Sequence, residues 1–302
     1  MAKSSVKTIH IKKSKGRILF EVVNYALLAL FAIICLLPML HVLFASLSDP
    51  NWLNTHSGLL LWTQGFTLEG YKLVFQNEQL LRGFGNTIIY VAAATVIGVV
   101  ITILGAYVLS HKDLLWGNVI MFAISFTMLF SGGIVPLYII VQKLNMLDTR
   151  WAVILPMCVN PMNLIILRTA FSTVPSELIE SAKLDGAGDL TIAFKIMLPL
   201  VKASLATITL YYMIAHWNSW FQASIYLKDR TLYPLQLVLR EILIINDSTS
   251  ATSAAELSGN MDIYKQLVKY CTIIVSSAPM IIIYPFIMKY FKKGVMVGSI
   301  KG

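Results

Sequence analysis

Six long runs of the sequence contain no Asp, Glu, Lys or Arg, and they constrain the fold more than any other feature. Each has about 17 to 26 residues, the length with which an α-helix crosses the hydrocarbon core of a bilayer. Inside lipid the backbone has no water to bond, so only helices are expected there. The chain is therefore predicted to be an all-α integral membrane protein with six transmembrane helices. The runs are Val22–Leu47, Asn86–Ser110, Trp116–Val141, Trp151–Leu167, Ala203–Leu227 and Tyr270–Met288.

The composition agrees with this class of protein. Hydrophobic residues make up 57% of the chain and charged residues 13%, with a mean hydropathy of +0.72. Soluble domains carry roughly a quarter charged residues. The first run follows a basic segment, but it is too long for the apolar part of a signal peptide, which has about 7–15 residues. We therefore expect it to be retained as a helix of a multi-pass protein in the cell membrane.

Basic residues collect at three places that six spans would put on one side of the membrane. These places lie before the first run, in the loop Arg168–Lys202 and after the last run. The positive-inside rule predicts that all three, and so both termini, are cytoplasmic. Topology and contact with anionic lipid account for the net charge of +9, so no nucleic acid partner is expected. The terminal residues are Lys3, Lys7, Lys12, Lys13, Lys15, Arg17, Lys289, Lys292, Lys293 and Lys301.

The predicted division of the chain follows from these runs and charges. Outside the runs, Tyr233–Ile245 is amphipathic and predicts a short helix on the membrane surface. The polar segment Asn246–Asn260 predicts a flexible loop. The divisions are a cytoplasmic basic N-terminus (1–17), a transmembrane domain (18–291) with a cytoplasmic loop (172–200) and external loops (48–85 and 228–269), and a cytoplasmic C-terminal tail (292–302).

The sequence lacks the groups that would power transport or catalysis within the chain. No run has a carboxylate or lysine at its middle, where ion-coupled carriers bind the driving ion. There is no phosphate-binding loop and no catalytic or metal-binding motif. We therefore expect no catalytic, cofactor-binding or metal-binding residues, and any uphill transport would draw energy from another subunit. A secondary carrier and a membrane-embedded enzyme are the competing interpretations.

The loop between the fourth and fifth runs has features that a simple connector does not need. Ser176–Leu184 predicts a helix, with Pro175 before it and acidic residues in its first half. Gly186 predicts a turn with positive φ, and Pro199 begins the next segment. We expect this loop to dock against another protein; an ordinary helical connector is the alternative. The residues of the pattern are Glu177, Glu180, Ser181, Ala182, Asp185, Gly186, Ile196, Leu198 and Pro199.

The pattern from Glu180 to Pro199 resembles the EAA motif of ATP-binding-cassette (ABC) importer permeases. Ser181 stands where alanine is usual, and both residues are small. Other segments resemble carbohydrate-importer permeases, most closely the maltose-type second permease and its branch for complex oligosaccharides. The resemblance covers essentially the whole chain. The segments that carry it are Ser131–Tyr138, Leu144–Pro156, His216–Asn218, Tyr233–Gln236 and Gly298–Gly302.

This resemblance implies a type I ABC importer permease fold and a set of partners. A second, homologous permease would complete the transport path, and an extracellular solute-binding protein would deliver an oligosaccharide. Two ABC ATPase subunits, or a homodimer of one, would bind ATP and Mg²⁺, while this chain would bind no cofactor. The helix of the EAA loop would be the coupling helix. The C-terminal tail, through Gly298 and Lys301, would contact the ATPases; a basic tail held by lipid is the alternative.

Polar and aromatic side chains in the fourth and fifth runs are candidates for the sugar path, because sugars bind to rings, amides and hydroxyls. Helical spacing places two asparagines on one face of the fourth run and three polar residues near one face of the fifth. Bonds between helices and anchoring at the interface are the alternative roles. The candidates are Asn160, Asn163, Tyr211, His216, Trp217, Asn218 and Gln222.

The identity of the solute stays open in the sequence. The basic external residues Lys228, Arg230 and Arg240 are compatible with acidic uronate chains without establishing them, and a non-sugar solute is an alternative. Ser131–Gly133 weakens a helix in the middle of the third run. Such a break suits either a discontinuous helix at a membrane site or the close packing of two backbones.

Overall fold

The computed structural model describes residues 14–56, 58–111, 113–130, 132–244 and 261–298, with their side chains except at positions 244, 261–263 and 286–298. These residues form helices and connecting turns, and no strand occurs among them. The α-helices are α1 (Lys15–Ser46), α2 (Pro50–Thr55), α3 (Glu69–Gln76), α4 (Glu78–Ser110), α5 (Gly117–Leu129), α6 (Ile134–Lys143), α7 (Arg150–Ile154), α8 (Pro161–Phe171), α9 (Ser176–Leu184), α10 (Asp189–Thr191), α11 (Leu198–Leu200), α12 (Lys202–Trp217), α13 (Phe221–Tyr226), α14 (Leu235–Ile244) and α15 (Met261–Gly298).

Three of the described helices are long and apolar enough to cross a membrane by themselves: α1, α4 and the part of α15 from Tyr264 to Pro285. Three pairs of consecutive helical segments meet the same test together, each with a bend at a short break. Six spans result when each pair counts as one, and this confirms the predicted all-α membrane architecture. The bent pairs are α5 with α6 (111°), Arg150–Met157 with α8 (47°) and Asp189–Leu200 with α12 (94°).

The prediction of one continuous helix through the fifth run is wrong. Helix α12 ends at Trp217, and Phe221–Tyr226 is a separate short helix. The break falls at Asn218 and Ser219, two residues whose side chains bond to nearby groups and favour helix ends over helix interiors. The Asn218 side chain donates to the carbonyl of Ile214 (3.0 Å), and the Ser219 hydroxyl donates to Gln222 (3.1 Å).

The amphipathic segment before position 245 also differs from its prediction. It is a helix, α14, but Leu235, Leu237 and Val238 on it are buried. This helix packs against α4 and α15, so its apolar side meets protein and not the lipid that the amphipathic pattern was expected to face. The predicted loop Asn246–Asn260 lies outside the described residues, as do Lys301 and the lysines before position 14.

Helix α4 is the centre of the fold. Near its start it contacts α14, and along its second half it packs against α8 and α12. One apolar cluster surrounds the last turns of α4 and includes Ile103, Leu167 and Ile208. A second cluster, with Ala45 and Leu267, joins α1, α14 and α15 to the first turns of α4. Helix α4 therefore contributes to both apolar clusters and connects them.

The outward-facing surface is apolar. Helix α1 packs against α15, yet most of its large apolar side chains are exposed. A water-soluble protein would bury such side chains, whereas a surrounding of lipid or a neighbouring subunit accommodates them. This surface agrees with the membrane location expected from the six apolar runs.

Candidate coupling element and transport cavity

Helix α9 has the bounds that the sequence predicts, and its C-terminal turn is a Schellman motif. The amide of Gly186 donates to the carbonyl of Lys183 (3.0 Å), and the amide of Ala187 donates to that of Ala182 (2.9 Å). Gly186 has φ +81°, the positive value predicted for it. Apart from its two chain neighbours, no described residue has a heavy atom within 4 Å of where its Cβ would be, so the backbone angle alone calls for glycine here.

The segment after α9 anchors it to the membrane helices. Ile192–Met197 forms a π-helix, and Ile192 and Met197, five residues apart, are both buried against α4, α8 and α12. Ala182 reaches the same cluster from α9. Ile196 and Leu198, two residues of the pattern identified from sequence, are half-buried at the edge of this cluster. Pro199 lies in the first turn of the short helix α11 and is exposed.

The opposite face of α9 is open. Glu177, Glu180, Ser181 and Asp185 are exposed there, and the apolar side chain of Leu184 is 89% exposed. A cleft of about 650 Å³ runs beside this face, lined by residues from the end of α4 to α9, with both glutamates among them. We call residues 176–200 the coupling element. The exposed charged groups and leucine give it the mixed surface on which a protein partner can dock.

The C-terminal tail begins as a continuation of α15. The helix runs from Met261 to Gly298, so the predicted contact residue Gly298 is its last residue. Lys301, its predicted companion, lies outside the described residues.

A polar cavity of about 240 Å³ lies where α12 ends, away from the coupling element. Helix α12 starts directly after that element and is 16 residues long, so its two ends are roughly 24 Å apart. Amides, hydroxyls and aromatic rings line the cavity, and no Asp, Glu, Lys or Arg does so among the described residues. The structure brings together here six of the seven residues proposed for the path, which are Asn160, Asn163, Tyr211, His216, Asn218 and Gln222.

The two candidate asparagines of the fourth run do not share a helix face as predicted, because the helix is broken beside them. Asn160 precedes α8 and caps it: its side-chain oxygen accepts from the amides of Met162 (2.8 Å) and Asn163 (3.4 Å). Pro161 occupies the first helical position, where a missing N–H has no cost. The Asn-Pro pair was therefore a sequence signal of this helix start.

Tyr212 holds two parts of the cavity wall together, although the sequence analysis did not name it as a candidate. It is buried, its hydroxyl pairs with that of Thr102 (2.7 Å), and it accepts from the backbone amide of Asn160 (3.0 Å). Gly98 on α4 lies against this junction. A Cβ at Gly98 would overlap the carbonyl oxygen of Cys158 and lie 3.1 Å from the Tyr212 ring. Helix α4 can therefore approach the break in the fourth span, between Met157 and Pro161, only with glycine at position 98.

His216 and Trp217 are neighbours with different surroundings. His216 lines the cavity and is 7% exposed, and its Nε2 atom has no hydrogen-bond partner among the described residues. Trp217 does not line the polar cavity; its Nε1 donates to the carbonyl of Ser276 (3.2 Å) on α15. It borders a more apolar cavity of about 450 Å³ between α1, α12, α14 and α15, which Asn218 also lines. Trp217 thus packs against α15, whereas His216 lines the polar cavity and its buried Nε2 has no partner among the described residues.

Asn218 and Gln222 reach the polar cavity from opposite sides of the break after α12. Asn218 is exposed and its recorded side-chain bond is to its own helix, at Ile214. Gln222 lies in α13. The single helix face proposed for these two residues and Tyr211 is therefore wrong, but the bend still directs them to one cavity.

Comparisons with known proteins agree with this helical membrane architecture. Residues 101–297 match the model of the binding-protein-dependent transport system inner membrane component family. The chain belongs to that family. It is a membrane-spanning permease subunit of an ABC importer, and the ATPase of such an importer is a separate subunit.

Relatives of this permease match it over nearly its full length. The polygalacturonan/rhamnogalacturonan transport system permease protein YtcP of Bacillus subtilis is 38% identical over 94% of this chain and 99% of its own. Protein LplC of the same organism is 36% identical over 99% and 100%. In the crystal structure of a bacterial ABC transporter that imports the acidic polysaccharide alginate, one chain matches with a TM-score of 0.86, at 30% identity over 93% of this chain and 99% of that one.

Proposed function

We propose that this permease carries an oligosaccharide into the cell along a path lined by the polar cavity. The observation that carries the proposal is the lining itself: amides, hydroxyls and rings without a charged side chain among the described residues. Sugars are bound by stacking on rings and by hydrogen bonds from such groups. Relatives named for polygalacturonan and alginate transport support a carbohydrate solute.

The remaining parts of the transporter follow from membership of the family. A second, homologous permease completes the path, an extracellular solute-binding protein delivers the solute, and two ATPase subunits bind ATP and Mg²⁺. The coupling element meets one ATPase through Glu177, Glu180, Ser181 and Asp185, with Gly186 ending its helix. This chain itself supplies no cofactor site. Both termini and the coupling element face the cytoplasm in this proposal, as the distribution of lysine and arginine predicts.

Reconstitution tests the transport function. The permease is assembled with its partner permease and ATPases in proteoliposomes, with ATP and the binding protein, and uptake of labelled uronate and neutral trisaccharides is measured. We expect uptake of a trisaccharide only with ATP and with all subunits present. Uptake without the ATPases would indicate a secondary carrier. ATP-driven uptake of a non-sugar solute with no uptake of any oligosaccharide would contradict the proposed substrate class.

Site-specific labelling tests the orientation. Leu184 is 89% exposed, so a cysteine at this position is open to a membrane-impermeant maleimide from the side that it faces. We expect labelling of Leu184→Cys only when the cytoplasmic side is accessible, and labelling of Lys228→Cys only from outside. Reaction of Leu184→Cys from outside would contradict the assignment of the coupling element.

A further inference from the structure

An arginine lies directly beside the polar cavity without entering its lining. The guanidinium carbon of Arg240 lies 3.7 Å from the centroid of the Trp220 ring. Trp220 is part of the cavity wall, so this cation contacts a residue that lines the cavity. Arg240 is exposed, and within the described parts of the chain it has no carboxylate partner.

Helix α14, which carries Arg240, is held in place by polar bonds to α4. The amide of Asn86 donates to the carbonyl of Thr231 (2.7 Å), and the Tyr90 hydroxyl donates to that of Leu232 (2.7 Å). The backbone amide of Leu235, the first residue of α14, donates to the Thr87 hydroxyl (2.8 Å). These bonds set the start of α14, and the buried leucines along it fix the face on which Arg240 lies.

The other basic residues on these external segments are placed differently. Arg230 pairs with Glu241 (3.3 Å), and the other oxygen of Glu241 accepts from Gln79 (3.4 Å). Both carboxylate oxygens of Glu241, which follows Arg240 in the sequence, are therefore already bonded to other residues. Lys228 is exposed and follows α13, and its backbone amide donates to Asp148 (2.8 Å). Of the three cations that the sequence offered for an acidic solute, Arg240 alone stacks on a residue of the cavity wall.

A guanidinium that stacks on an indole keeps its donors free. Stacking uses the flat face of the group, while the N–H bonds point outward in its plane. That edge matches a carboxylate, which can accept two parallel hydrogen bonds from it. The adjacent cavity offers neutral groups that suit hydroxyls. Together the two sites match a sugar acid, with the carboxylate at Arg240 and the ring hydroxyls in the cavity.

We propose that Arg240, oriented by Trp220, binds the carboxylate of an acidic sugar residue as the oligosaccharide enters the polar cavity. This inference rests on the proposed oligosaccharide function and narrows it to uronate-containing chains. It assigns a discriminating role to a residue of α14, outside the lining of the cavity.

The test compares a charged substrate with its neutral counterpart in the reconstituted transporter. Trigalacturonate and its methyl ester have nearly the same size and the same hydroxyls, but the ester has no carboxylate. Uptake of each is measured per assembled complex for wild type, Arg240→Gln, Arg240→Lys and the control Lys228→Gln. Each ratio of acid to ester uptake is compared with that of wild type, so that selection by the binding protein and partial assembly of a variant both cancel.

We expect Arg240→Gln to lower the ratio by about tenfold or more, the factor for losing a hydrogen bond to a charged group. Arg240→Lys should fall between Arg240→Gln and wild type, because it keeps the charge but loses the paired donors. Lys228→Gln removes the same charge nearby and should leave the ratio unchanged. An unchanged ratio in Arg240→Gln, or an equal fall in Lys228→Gln, would overturn the role of Arg240.

Two results with wild type separate this inference from the function on which it rests. Uptake of neutral oligosaccharides alone would overturn the inference and leave the proposed oligosaccharide function in place. Uptake of no oligosaccharide at all would overturn both.

Discussion

The phenolic hydroxyl of Tyr107 donates a hydrogen bond of 2.8 Å to the carboxylate of Asp189. Tyr107 is in the last turns of α4, and Asp189 begins α10, the short helix that follows α9. Five residues earlier on α4, Thr102 bonds to Tyr212 in the wall of the polar cavity. Helix α4 therefore contacts both the coupling element, through Tyr107, and a residue of the cavity wall, through Thr102.

We expect Tyr107→Phe to weaken the link between ATP hydrolysis and uptake. It removes one hydrogen bond to a charged group, worth about 1.5–3 kcal/mol when buried and less at the exposed Asp189, without opening a cavity. The number of ATP molecules hydrolysed per sugar imported should rise. Tyr25→Phe, on the exposed face of α1, is the matched control and should behave as wild type. An unchanged ratio in Tyr107→Phe would mean that this bond only stabilises the fold.

Gly186→Val should uncouple the transporter. The backbone at position 186 has φ +81°, which a β-branched residue adopts only at a cost of about 1–3 kcal/mol. Gly188, two residues on, is equally open to an added side chain but has φ −75°, so Gly188→Val should be tolerated. Uptake and ATPase activity stimulated by the loaded binding protein are measured for both. Equal, wild-type uptake in the two variants would show that the turn is a passive connector.

Gly98→Ala and Gly85→Ala should shift thermal stability in opposite directions. Both glycines are in α4, but a methyl group at Gly98 would collide with the carbonyl of Cys158, whereas one at Gly85 would meet no atom within 4 Å beyond its chain neighbours and the backbone of its own helix. Overpacking costs about 1–3 kcal/mol, while alanine gains up to about 1 kcal/mol in helix propensity. The melting temperature of the purified permease pair measures both effects. A higher melting temperature for Gly98→Ala would contradict the close approach of α4 to the helix break.

Much of the architecture could be predicted from sequence, because a long apolar run has few ways to satisfy its backbone in lipid. Helix α9 was predicted with its correct bounds since Pro175 and Gly186 mark its two ends by local geometry. The positive φ of Gly186 followed from the same local reasoning. These features depend on residues close to one another in the chain.

The missed features depend on contacts between distant residues. Hydropathy does not detect the break after Trp217, because Asn218 and Ser219 interrupt an otherwise apolar run by only two residues. The partnership of Gly98 with Cys158 becomes visible only once α4 and the fourth span are packed together. Anchors five residues apart, Ile192 and Met197, fit a π-helix, which the sequence analysis did not predict. The packing role of Trp217 likewise needed α15 beside it.

The contact between Asp148, in the loop before the fourth span, and the backbone at Lys228 and Asp229 should respond to acid only at very low pH. The Asp148 carboxylate accepts hydrogen bonds from the amides of Asp229 and Lys228, both 2.8 Å, and these hold its pKa below the ordinary value of 3.8. A carboxyl whose pKa is lowered by folding stabilises the structure above its unfolded pKa and loses this effect as pH falls through the folded pKa.

We therefore expect the amides of Lys228 and Asp229 to keep the same protection from hydrogen exchange between about pH 5 and 8, after correction for the intrinsic rate. Asp148→Ala should remove this protection at all of these values, while Asp148→Asn should retain part of it through its amide oxygen. Protection that changes with pH within this range in the wild type would contradict the assignment of this protection to the Asp148 carboxylate.

Uptake per assembled complex for Asn218→Ala, measured beside its melting temperature, tests most directly whether the polar cavity is the sugar path. Asn218 lines the cavity, and its side chain bonds only within its own helix. The alanine variant should therefore lower flux by about fivefold, the factor for losing one hydrogen bond to the solute. Its melting temperature should be unchanged. Asn86→Ala is the contrast, because Asn86 is buried and its amide bonds to Thr231 and Tyr233 across the fold. It should lower the melting temperature and leave flux per complex unchanged. Unchanged flux with a lowered melting temperature in Asn218→Ala would contradict the path and make this residue part of the packing.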